Sequence, residues 1–124
     1  MDYDTLASKE TVQKTIDALA ERGHLPEHLE TRADALARIK ELIPAGASVM
    51  NGSSHTLEEI GFIEYLKQGT HGWHNLHEEI LAEKDPVKQA ALRKQSVLSD
   101  FYLGSAHAVA ETGEIVVASN SGSQ

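Results

Sequence analysis

Near the start of the chain the apolar positions recur at helical spacing. Leu6, Val12, Ile16 and Leu19 fall close to one face of a helix predicted over residues 5–22, and Gly23 stands at its end. Residues 24–30 show no clear period, and Pro26 argues against a strand there. Thr31 then offers a hydroxyl suited to capping a second helix, and Asp34 complements the positive end of its dipole. Leu36, Ile39 and Ile43 share a face of that helix, and Pro44, with no amide hydrogen, stops it.

The period then changes. Pro44, Ala45 and Gly46 turn the chain into the short run Ala47, Ser48, Val49 and Met50, the pattern of a strand covered on both faces. A polar loop follows, Asn51, Gly52, Ser53 and Ser54, before a third helix that runs to about residue 68. Thr56 and Glu59 have the spacing of a capping box, and Leu57, Ile60, Ile63 and Leu66 form the apolar face. Gly69 is its natural stop. Residues 71–96 read as helix with one interruption, where Asp85 caps and Pro86 restarts it. Strands are predicted at residues 97–103 and 114–118, with Gly113 turning the chain into the last, and residues 119–124 are polar. This alternation predicts an α/β fold: an open, mostly parallel sheet of three strands with crossover helices.

Composition narrows the function classes. At 124 residues one domain, 1–124, is expected, and 40% hydrophobic with 24% charged residues permits a packed core. With only two Phe, three Tyr and one Trp, that core must be mainly aliphatic. The net charge of -8 repels phosphate backbones and anionic lipid, and no basic cluster offsets it, so neither nucleic acid nor a membrane is an expected partner. The absence of cysteine excludes a disulfide scaffold, a thiolate zinc site and an iron–sulfur cluster within this chain. The acidic start, Met1-Asp2-Tyr3-Asp4, has no apolar segment of a signal peptide, and no apolar run approaches the ~18 residues of a membrane span. A cytoplasmic location is expected, and no cofactor is predicted.

Three stretches carry candidate chemistry. In the strand–loop–helix unit, Asn51, Gly52, Ser53, Ser54 and His55 place hydroxyls and free amides where open α/β sheets bind ligands, which suits a carboxylate or phosphate; a well-capped helix alone is the plainer reading. His71, His74 and His77 have spacing that invites a metal. Positions six apart diverge by roughly 120° around a helix, however, and no metal is predicted. Gly104 and Ser105 permit close backbone approach beside His107 and Glu111, a pair able to act as general acid and base if both face a pocket, or else a satisfied pair at a strand end. No phosphate-binding glycine motif and no nucleophile elbow is present.

Two ordered blocks, IPAGASVMNGSSHTLEEIG at residues 43–61 and SDFYLGSAHAVAETGEIV at residues 99–116, resemble the LUD (lactate-utilisation) domain family in order and spacing. The resemblance covers most of the chain and looks like the family's N-terminal portion. It implies a fold like that of glucosamine-6-phosphate deaminase, ribose-5-phosphate isomerase and the CoA transferases. Relatives continue beyond the position of Gln124 with a helix and a further strand. A chain ending there would leave a sheet edge uncovered, so a fragment or a homo-oligomer is expected.

The resemblance also implies a setting in lactate oxidation beside iron–sulfur partner proteins. The leading expectation is therefore a protein of lactate or organic-acid utilisation that binds a small anionic metabolite. A non-catalytic assembly module for an iron–sulfur oxidoreductase is the alternative. A sugar-phosphate isomerase or deaminase rests on fold analogy alone.

Overall fold

The computed structural model describes residues 4–120; the polar end from Ser121 to Gln124 lies outside them. In chain order the elements are α1 (Lys9–Glu21), α2 (Arg32–Leu42), β1 (Ser48–Asn51), α3 (His55–Glu59), α4 (Phe62–Lys67), β2 (His74–Asn75), α5 (Leu76–Ala82), α6 (Pro86–Gln95), β3 (Phe101–Leu103), β4 (Ala108–Val109) and β5 (Ile115–Val116). They gather into two compact units, one of residues 30–105 and one that joins the residues up to 29 with those from 106 onward.

The contiguous unit is a three-stranded parallel sheet, order β2-β1-β3, with helices against it, in agreement with the predicted α/β class. β1 is central and pairs Val49 with Phe101, Met50 with Tyr102 and Asn51 with Leu103. Val49 and Phe62 are fully buried, and Ile43, Leu57, Leu66 and Trp73 close the core around them. Leu36 and Ile39, the predicted apolar face of α2, pack against this cluster. The few aromatic residues matter more than their number suggests. Trp73 stacks on Phe62 at 6.2 Å between ring centroids, and its indole nitrogen donates to the Ile43 carbonyl at 3.1 Å.

Several boundaries differ from expectation, each for a local reason. The predicted third helix is two helices, because Gly61 adopts a left-handed backbone (φ 85°) that ends α3 and opens α4. Its cap is Ser54, whose hydroxyl accepts from the Leu57 amide at 3.1 Å, and Thr56 lies inside the helix. A two-residue strand, β2, interrupts the helix predicted from residue 71. Residues 96–98 form a 3-10 turn rather than the start of β3, which leaves Val97 and Leu98 exposed. α2 and α6 start at the predicted caps, Thr31 and Asp85.

In the second unit α1 begins at Lys9, later than predicted, since the Ser8 hydroxyl caps it by accepting from the Thr11 amide. β4 and β5 form an antiparallel hairpin in place of a single late strand. Gly113 shapes its turn at φ 89°, and a Cβ there would stand 2.9 Å from the Ala18 carbonyl oxygen of α1. Lys14 pairs with Glu111 at 2.9 Å, and Arg22 bonds both the Thr112 carbonyl and the Glu114 carboxylate. No helix among the described residues is long and apolar enough to cross a membrane.

Candidate functional site

Parallel strands deliver their following loops at the same end of a sheet, which is where open α/β sheets bind ligands. Here that rule unites two stretches far apart in sequence. The Gly52 amide donates to the Leu103 carbonyl at 3.0 Å, continuing the β1–β3 pairing one step past Asn51 and Leu103. Gly52 therefore lies beside Leu103, where β3 runs into Gly104 and Ser105.

Tyr102 completes this end of the sheet. Its neighbours Phe101 and Leu103 pack toward the core, so alternation turns the phenol to the opposite face, where it is half exposed. A Cβ on Gly52 would stand 2.6 Å from the Tyr102 hydroxyl oxygen, and one on Gly104 would stand 3.2 Å from its ring. A side chain at either glycine would crowd the half-exposed Tyr102 ring and push it aside. The sequence reading did not single out Tyr102; its place between two inward-facing residues of a short strand is the signal that could have found it.

The other loop residues have distinct surroundings. Asn51 is only 4% exposed; its side-chain nitrogen donates weakly to the Gly52 carbonyl at 3.4 Å, and its Oδ1 has no partner. Ser54 is buried and committed to capping α3. Ser53 is exposed, and so is His55, whose Nδ1 lies 3.6 Å from the Glu58 carboxylate. With five residues α3 has little dipole, so any attraction for an anion must come from the loop amides themselves.

At the opposite end of the same two strands, Asp100 accepts from both the amide and the hydroxyl of Ser48. The amide bond first, and the hydroxyl second, hold the Asp100 carboxyl below the usual carboxylate range. The strand pair is pinned at one end and carries the loops at the other.

Residues 12–124 match the LUD domain family. The chain belongs to the LUD domain family. No curated protein and no solved structure matches it.

In this LUD domain, His107 and Glu111 belong to the unit built on α1 and the hairpin. The His107 amide donates to the Val116 carbonyl, and its ring Nδ1 accepts from the Ala118 amide at 3.1 Å. Glu111 sits in the hairpin turn, ion-paired with Lys14. Each group therefore bonds a different neighbour, while residues 51–55, Gly104 and Ser105 belong to the other unit. The three histidines of residues 71–77 also part company. His71 stacks on Trp73, His74 pairs with the Glu79 carboxylate, and His77 lies in α5 with its Nδ1 buried and without a partner. Among the described residues no group of three His, Asp or Glu side chains is arranged to hold a metal ion.

Proposed function

We propose that this LUD domain binds a small anionic metabolite of lactate or organic-acid utilisation at the loops that follow β1 and β3. The observation that supports the reading is the bond from the Gly52 amide to the Leu103 carbonyl, with Gly52 against the Tyr102 hydroxyl and Gly104 against its ring. Glycine backbone, the exposed hydroxyl of Ser53 and a phenol donor suit a carboxylate or phosphate oxygen. Proton transfer by His107 or Glu111 is a further step, for which the Ala118 and Lys14 contacts would have to exchange.

The test is thermal denaturation of the chain with lactate, pyruvate, sugar phosphates and CoA esters. A true ligand at about 100 times its Kd adds ~2.7 kcal/mol of stability, and Gly52→Val, which forces the Tyr102 ring aside, should abolish that gain. A flat response to every compound would overturn the reading.

A second reading, a non-catalytic module that contacts an iron–sulfur oxidoreductase, is favoured by the half-exposed Val109, Ile115, Val116 and Val117 of the hairpin. Retention of an oxidoreductase in a pull-down after Ser53→Ala and His55→Ala would support it over ligand binding.

A further inference from the structure

Of the three asparagines only Asn51 is followed by glycine. Such a pair is labile by its own constitution. The main-chain nitrogen after an asparagine can attack the side-chain carboxamide, and glycine, with no Cβ, leaves that approach open. The Gly52 nitrogen would give up its proton and bond to Asn51 Cγ, the carboxamide C–N bond would break, and ammonia would leave. Water then opens the five-membered imide at either carbonyl, which yields aspartate or isoaspartate with no oxidant or reductant.

The fold opposes each step. The Gly52 N–H donates to the Leu103 carbonyl at 3.0 Å, so the nucleophile keeps its proton while the ladder is closed. Asn51 is the last residue of β1, paired with Leu103, and its backbone is held in the strand. Its side-chain nitrogen, the leaving group, donates weakly to the Gly52 carbonyl at 3.4 Å. At 4% exposure Asn51 is also shut off from the water that must open the imide. A side chain at residue 52 would slow the attack, but its Cβ would crowd the Tyr102 hydroxyl oxygen at 2.6 Å.

The products do not fit where the asparagine sat. Asn51 Oδ1 is buried and has no hydrogen-bond partner among the described residues, so a carboxylate there would be an unpaired buried charge. Isoaspartate adds a carbon to the main chain and displaces Gly52 from Leu103.

We propose that Asn51–Gly52 is a guarded modification site, a self-reacting pair that the pairing of β1 with β3 keeps silent. It converts, once and irreversibly, in any chain whose β3 has opened. The mark records loss of the sheet end that carries the loops, and it does not depend on an anion binding there.

The experiment incubates the whole chain at mildly alkaline pH, folded and in urea, and follows conversion at each asparagine by peptide mass spectrometry. Conversion at Asn51 should be at least roughly tenfold slower folded than in urea, because it proceeds only from open chains. Asn120, exposed and followed by Ser121, is the internal control and should be far less affected by folding. Ser48→Ala and Asp100→Ala, which remove the clamp at the other end of the strand pair, should speed conversion at Asn51 and hydrogen exchange of the Gly52 amide together, with Asn120 unchanged. If one of them does not fold, the other carries the comparison. Gly52→Ala should slow conversion in urea, which tests the chemistry apart from the fold, and Asn51→Asp should lower Tm. Equal rates at Asn51 folded and in urea, no conversion there in urea, or clamp variants that speed Gly52 exchange without speeding conversion would overturn the proposal.

Discussion

Asp100 holds Ser48 by its main chain and its hydroxyl at once. One carboxylate oxygen accepts from the Ser48 amide at 2.9 Å and from its hydroxyl at 3.0 Å, while the Asp100 amide donates back to the Ser48 hydroxyl oxygen at 2.9 Å. The pair is separated by 52 positions and precedes the first register pair of β1 and β3. It does the work of one more rung in a ladder only three residues long.

This clamp gives stability an acid limb. Because the Asp100 carboxyl titrates lower in the folded chain than in the unfolded one, its contribution is fully present above the unfolded value. It declines as pH falls below about 4 and is gone beneath the depressed folded value. Glu114, held low first by the Thr112 hydroxyl and only last by Arg22, acts in the same direction. Thermal melts from pH 7 down to pH 3 should therefore show a falling Tm at the acid end. Asp100→Asn should lower Tm at pH 7 and flatten that fall.

Gly113→Ala should destabilise the chain by about 1–3 kcal/mol from backbone strain at positive φ. The new Cβ also meets the Ala18 carbonyl, which cannot swing away as a side-chain tip would. Gly69→Ala, at a similar φ but with open space around it, is the matched control and should cost less in urea denaturation.

Ser54→Ala removes the cap of α3 and should cost ~1 kcal/mol, whereas Thr56→Ala should change stability by no more than about 0.5 kcal/mol. Equal effects in chemical denaturation would show that the helix starts where the capping-box spacing suggested.

Trp73 is the single tryptophan and is buried at 8% exposure. Its fluorescence should be blue-shifted when folded and move to the red on unfolding. Trp73→Phe keeps an aromatic ring beside Phe62 but strands the Ile43 carbonyl, and should cost about 1–3 kcal/mol by circular dichroism.

What the sequence made legible was set by how local each signal is. Thr31 and the Asp85-Pro86 pair mark helix starts through their own chemistry, and α2 and α6 begin there. β2 has two residues, too few for any period to register. The break at Gly61 was hidden because Leu57, Ile60, Ile63 and Leu66 keep helical spacing straight across it. At the candidate site the loop residues were readable, but the meeting of Gly52 with Leu103 depends on strand register, which no local pattern encodes. The burial of Asn51 was equally invisible, since a polar residue after an apolar run reads as loop.

The division of the chain into a contiguous unit and a split one also sets an order of assembly. As the polypeptide leaves the ribosome, residues 30–105 are complete before the hairpin that α1 needs has been made. Lys14 must wait for Glu111, 97 positions later, and closing so long a loop is slow. During synthesis α1 therefore waits with Lys14 and Arg22 lacking their Glu111 and Glu114 partners, and the exposure of nascent chains to chaperones should be greatest there.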